Sequence, residues 1–209
     1  MTKILFQGDS ITDSGRNREE NLSLGHGYAT RVAGKLGFEA PGEYEFLNRG
    51  IGGNKSVDLY ARMKADILNL KPDIMSILIG VNDVWSEVTD GNGVCAEKYE
   101  KIYDMLIAEI LEALPNIKIM ILEPYVLLGE ATKENWEYFS AEVKKRAEAS
   151  KRIAEKYGLV FVPLQEEFDK ATEKMAEPYW TYEGVHPLAP GHELIARQWL
   201  SGFEKYKKV

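Results

Sequence analysis

The segment TKILFQGDSITDSGR, residues 2–16, is where the reading of this chain begins. Ile4, Leu5 and Phe6 form a short apolar run that Gly8, Asp9 and Ser10 break at once, the pattern of a buried strand running into a turn. Ser10 is thereby expected at a strand end, a good position for a reactive side chain. The same residues suit a plainer task, because Asp and Ser are favoured helix N-caps. A bare Gly-Asp-Ser tripeptide arises by chance in about one chain in twenty of this length at average composition. Its meaning depends on what the remaining strand ends supply.

Working outward, short runs rich in Ile, Val, Leu and Phe recur at 3–7, 44–48, 73–79, 117–122 and 159–162 and predict five strands. Segments with helical spacing separate and follow them, at about 25–37, 56–70, 96–114, 135–157 and 189–204, the fourth ending at Gly158 as a C-terminal stop. Alternation of this kind, with strands apolar on both faces, predicts an α/β fold in which a parallel five-stranded sheet lies between helices. In such sheets ligands sit beyond the carboxyl ends of the strands, so the strand-to-helix turns are the informative places. The least regular stretches, 84–94, 124–134 and 175–188, are expected to form rims or lids over a site.

The chain has 209 residues and no composition shift, repeat or low-complexity tract, which predicts a single domain over 1–209. A net charge of −7, with acidic and basic residues interleaved, argues against nucleic acid as a partner. No apolar run reaches the ~18 residues of a membrane span, and a strand beginning at Ile4 leaves no room for a signal peptide. The expectation is a cytoplasmic protein without a membrane partner. Cys95 is the only cysteine, which excludes an internal disulfide, and it reads as a half-buried small hydrophobe near a helix start.

The first strand ends in Gly8-Asp9-Ser10, the second in NRGIGGN (48–54) and the third in IGVNDVW (79–85). The second resembles a phosphate loop only superficially. A P-loop needs glycine immediately before Lys55 and again five positions earlier, where this chain has Asn54 and Arg49; a dinucleotide fingerprint on Gly50 and Gly52 needs glycine at Lys55. What Gly52 and Gly53 do offer is backbone able to take positive φ and aim an N–H into a cleft. Asn82, after a buried strand, serves either to brace a turn or to donate its amide N–H to a negative oxygen. Near the C-terminus, YEGVHPLAPGH places Glu183 three residues before His186, close enough on a tight turn for the carboxylate to reach one ring nitrogen. Together these are the parts of serine acyl transfer. Ser10 is the candidate nucleophile, His186 its base, and Glu183 the group that orients His186. The Ser10 and Gly53 backbone N–H groups and the Asn82 side chain are the candidate oxyanion hole.

GDSIT, NRGIGGN, GVND and the segment around His186, in that order, resemble the four blocks of the SGNH, or GDSL-type, hydrolase family over essentially the whole chain. The resemblance implies a flavodoxin-like three-layer α/β/α sandwich and a serine esterase that needs neither metal nor cofactor. GDSITDSGR, HGYA, NRGIGGN, IGVNDVW and VHPLAPGH are most similar to the bacterial carbohydrate O-acetyl esterases of the family, such as acetylxylan esterases. That implies an acetylated oligosaccharide as substrate. Lysophospholipases and thioesterases share the blocks, an acyltransferase to a sugar acceptor would use the same residues, and a non-catalytic carbohydrate-binding module would need one block broken. The family usually has aspartate three residues before the histidine, whereas this chain has Glu183. The longer side chain requires either an adjusted turn or a weaker hold on the ring. The G-x-S-x-G elbow of α/β-hydrolases is also absent, since Thr12 replaces its second glycine.

Asp9 and Asp83 adjoin these positions and are expected to hydrogen-bond the turns that hold Ser10 and Asn82. Trp85 is a candidate substrate-binding residue at a cleft rim, with core packing as the alternative. His26 and His192 are expected near a helix start and on the final helix, and with His186 lack metal-ligand spacing. Trp136, Tyr138 and Phe139 read as packing residues or a subunit contact, which leaves a homo-oligomer open.

Overall fold

A computed structural model of the chain describes residues 1–207. Five strands, β1 (Thr2–Gly8), β2 (Tyr44–Asn48), β3 (Ile74–Leu78), β4 (Lys118–Leu122) and β5 (Val160–Val162), form one sheet of order β2-β1-β3-β4-β5. Every pairing is parallel, with Ile4 set between Phe46 and Ile74, and Gly8 opposite Leu78. The helices are α1 (Ser10–Asp13), α2 (Tyr28–Glu39), α3 (Ser56–Asp66), α4 (Val81–Asp90), α5 (Ala96–Ala113), α6 (Trp136–Tyr157), α7 (Gln165–Thr172) and α8 (Ala189–Lys207).

The apolar runs that mark the strands are explained by burial on both faces. Side chains alternate across a strand, so Ile4 and Phe6 enter one core with Val32 of α2 and Trp199 and Phe203 of α8, while Leu5 enters the other with Leu59 of α3 and Ile107 of α5. Helices thus cover both faces. Trp199 is fully buried, its ring stacked on Phe203 and tilted against Phe6.

The expected strands and long helices are all present within a few residues. Three segments differ. The 56–70 helix stops at Asp66 and continues as a separate 3₁₀ turn over Leu68–Leu70. Residues 84–94, expected to be irregular, instead lie largely in α4, whose Val81, Val84, Trp85 and Val88 share one face at i, i+3, i+4 and i+7. Helix α7, short and dominated by charged and polar residues, is not among the helices expected from spacing.

Because Trp199 fills the space between β1 and α8, Trp199→Ala is expected to destabilise the protein by roughly 3–5 kcal/mol, the usual cost of emptying a large aromatic site. Urea unfolding of the variant against the parent measures it.

Candidate active site

Ser10 begins α1, one residue after β1. Its helix is capped by Asp9, whose Oδ1 accepts from the Ile11 N–H at 3.0 Å. Asn82 lies in the first turn of α4, two residues beyond the N-cap Gly80, and Gly53 lies in the loop between β2 and α3. All three elements leave the same edge of the sheet. Gly53 takes φ 79°, whereas Gly52, also expected to offer this conformation, does not, and its N–H is drawn to Asp13 Oδ2 at 3.2 Å. The N–H groups of Ser10 and Gly53 have no acceptor among the described residues.

His186 reaches this edge from the opposite end of the sequence. Its Nε2 lies 2.8 Å from Ser10 Oγ, and its Nδ1 meets Glu183 Oε1. The same carboxylate oxygen accepts the His186 backbone N–H at 3.2 Å. Glutamate therefore makes the contact that the family's aspartate would make: the extra methylene is taken up within the turn.

The turn itself is over-determined. An antiparallel bridge joins Thr181 to Pro187, the Tyr182 N–H donates to the His186 carbonyl at 2.8 Å, and the Gly184 N–H donates to Thr181 Oγ1 at 3.0 Å. Gly184 has φ 104°, and a Cβ there would stand 2.6 Å from the Leu127 carbonyl oxygen. Only glycine permits that approach. The irregular 124–134 segment packs behind it: Leu127 N–H donates to Gly184 O, Ala131 N–H to Glu183 O, and Tyr125 Oη to Val185 O. Rather than a lid, it is the brace of the histidine turn.

Electrostatics follow from burial and pairing. Glu183, hydrogen-bonded to Nδ1, raises the His186 pKa above the ordinary histidine value against the opposing effect of burial. Burial pushes Asp9 up to about 7 and Asp83 up to about 6. Asp83 accepts from Ser56, so it ties the start of α3 to the turn that holds Asn82.

Trp85 packs against the core and also lines the hollow beside Ser10. Its ring is 5.8 Å from the His186 ring and edge-on to the buried Phe139 at 6.1 Å. With Ser10, Gly53, Asn82, Ser86 and His186 it lines a shallow hollow of about 270 Å³. His192 lies on α8, its Nδ1 accepting from the Tyr28 N–H at 3.2 Å, and burial depresses its pKa to about 4. His26 is exposed just before α2. Cys95 is exposed as the N-cap of α5, not half-buried. Among the described residues no group of three His, Cys, Asp or Glu side chains is placed to hold a metal ion, and no helix is long and apolar enough to cross a membrane. A larger hollow of about 580 Å³ at the ends of β4 and β5, lined by Trp136 and Phe161, contains none of the reactive groups.

The family model for GDSL-like lipases and acylhydrolases matches residues 6–194, spanning the turns that carry Ser10, Gly53, Asn82 and His186. The chain belongs to this family. Within it the chain is 34% identical to an acetylxylan esterase of Geobacillus stearothermophilus, over 97% of this chain and 94% of that protein. The solved structure of an acetylxylan esterase from the same organism superposes with a TM-score of 0.85 at 31% identity, covering 96% of this chain and 93% of that one. A Parabacteroides merdae protein described as a GDSL-like lipase superposes with a TM-score of 0.90 at 37% identity, covering 96% and 94%. Family membership makes this protein a carboxylic ester hydrolase, and its five-stranded parallel α/β architecture is that of the solved relatives.

Because Glu183 raises the His186 pKa, the imidazole is expected to titrate above the ordinary histidine range when followed by NMR, and Glu183→Gln is expected to lower the midpoint. The sign carries over to stability. A raised folded value means that protonation of His186 stabilises the fold below the unfolded histidine pKa, and that this contribution disappears as pH rises through the folded one.

Proposed function

We propose that this protein is a serine esterase that removes short acyl groups, acetyl foremost, from small acylated carbohydrates through an acyl-enzyme. The observation that carries the proposal is the continuous hydrogen-bonded path from Ser10 Oγ through His186 to Glu183 Oε1. It supplies a nucleophile, a base and an orienter in one line.

In this reading Glu183 holds the proton on Nδ1, leaving Nε2 free to take the Ser10 Oγ proton as the oxygen attacks the acyl carbon. The carbonyl oxygen becomes an oxyanion beside the unengaged N–H groups of Ser10 and Gly53 and the Asn82 amide. Protonated His186 then delivers its proton to the departing sugar hydroxyl, and its positive charge is offset by Glu183. Water repeats the sequence on the acyl-serine, returning Ser10 and releasing the acid. Each step moves one proton between Nε2 and an oxygen, that of Ser10, of the departing sugar or of the attacking water, and no metal is required.

The substrate class draws support from two sources. Relatives named as acetylxylan esterases match nearly the whole chain. The hollow beside Ser10 is shallow, about 270 Å³, with Trp85 as its aromatic wall. An acetyl group fits against it more readily than a long alkyl chain, and the exposed side leaves room for a sugar ring.

Ser10→Ala is expected to abolish turnover, since losing the nucleophile of a comparable triad costs roughly a millionfold. Asn82→Ala is expected to cost about a hundred- to a thousandfold, the usual price of one oxyanion donor. Hydrolysis of a p-nitrophenyl ester series reads both, and rates should be greatest at acetate and fall with chain length. A maximum at long acyl chains would replace the carbohydrate reading with a lipase or thioesterase.

A further inference from the structure

The oxyanion donors proposed above come from different parts of the fold: the Gly53 N–H from the loop before α3, and the Asn82 amide from the first turn of α4. Converging on one oxygen requires that the two helix starts be fixed relative to each other. Asn82 makes one link itself, donating through Nδ2 to the Asn54 carbonyl at 3.1 Å. A second, stronger link lies directly beneath it. Both carboxylate oxygens of Asp83 face the Ser56 N–H, at 3.2 and 3.1 Å, and Ser56 Oγ donates to Oδ1 at 2.5 Å. Asp83 is fully buried and Ser56 nearly so.

This arrangement is an unusual way to begin a helix. The N-cap of α3 is Lys55, whose side chain offers no acceptor and reaches away to the Asn92 carbonyl. The first N–H of the helix, that of Ser56, takes its acceptor from another helix, at the cost of burying a carboxylate, which disfavours the fold by several kcal/mol unless it is well hydrogen-bonded. The local cap of α3 is Asp58, whose Oδ2 accepts the Lys55 N–H at 2.8 Å, and an N-cap side chain would serve the second or third N–H of the helix and not that of Ser56. What only Asp83 provides is a bond between α3 and α4. The lock extends further: the Val94 N–H donates to the Asp83 carbonyl at 2.9 Å, and the Val94 carbonyl accepts from buried Arg146 of α6 at 2.6 Å. Three helices are tied at the residue that follows Asn82.

We infer that Asp83 is a positioning residue of the oxyanion hole, holding the Gly53 N–H and the Asn82 amide in register by docking the start of α3 onto the first turn of α4. This rests on the esterase reading, and it predicts a defect in transition-state stabilisation, not in substrate binding. Asp83→Asn is expected to lower kcat by about ten- to a hundredfold, since displacing a catalytic group by about 1 Å can cost a hundredfold. KM for p-nitrophenyl acetate should stay within about twofold, as for an interaction made mainly in the transition state. Ser56→Ala, which removes the Oγ donor and keeps the backbone N–H bonds to Asp83, should give a smaller kcat loss of the same kind.

The deciding experiment is a double-mutant cycle in which each variant is also made in an Asn82→Ala background, with folding checked by thermal melts. Neighbouring residues acting through one another are non-additive. If Asp83 and Ser56 work through the oxyanion hole, their substitution should cost less than about threefold once Asn82 is gone. An undiminished loss in that background, or a loss expressed in KM, overturns the positioning role while leaving the esterase reading intact. A loss below about threefold for Asn82→Ala alone, far under the scale of an oxyanion donor, overturns the oxyanion assignment and this inference with it.

Discussion

The parallel pairing of β1 between β2 and β3 is the constraint on which the rest depends. With strand order β2-β1-β3-β4-β5, the chain leaves β1 toward one edge and returns past it to β3. The connections on either side of β1 diverge and leave a crevice at the carboxyl ends, the switch point at which doubly wound sheets bind ligands. Ser10 follows β1 and Asn82 follows Gly80 at the end of β3, so the register that sets Gly8 opposite Leu78 also sets the spacing between them. The glycine-rich loop after β2 brings Gly53 to the same edge. A sheet in which β1 did not lie between β2 and β3 would separate these three residues.

Around that crevice the fold buries carboxylates where neutral groups would be less costly. Asp9, Asp83 and Glu183 are all inaccessible or nearly so. Each answers with hydrogen bonds to backbone N–H groups: Ile11 for Asp9, Ser56 for Asp83 and His186 for Glu183. Each bond fixes a helix start or a turn. The penalty of burial is thereby converted into rigidity at the positions where donors and acceptors must converge on a reacting carbonyl, which is how preorganised sites lower barriers.

How much of this was legible in the sequence depended on the kind of signal involved. Strands buried on both faces announce themselves as apolar runs, and the long amphipathic helices by their period. The residues of the proposed catalytic path stood out because each sits at a strand end or on a tight turn, in a cluster of Gly, Asp, Asn and Ser. Helix α4 was missed because its polar opening and closing residues, Asn82, Asp83 and Asp90 with Gly91, resemble a loop, although the apolar spacing was present. The acceptor role of Asp83 toward Ser56 could not be read from spacing, since the two lie 27 residues apart and meet only through the sheet. Nor could the bracing of the histidine turn by 124–134, which is made almost wholly of backbone bonds and of glycines whose neighbours are distant in sequence. Local chemistry was visible; contacts set by topology were not.

The braced turn at 181–187 has a consequence for the order of events in the cell. Ser10 belongs to α1, yet His186 lies 176 residues later, followed by the helix that packs against β1. Throughout most of its synthesis the chain carries an ordinary, unactivated serine hydroxyl at the end of a growing sheet. In the proposed mechanism its activation waits for the turn at 181–187, which lies downstream of all five strands. A nascent or truncated chain therefore lacks the base that would arm Ser10, so that chemical competence reports on completed folding.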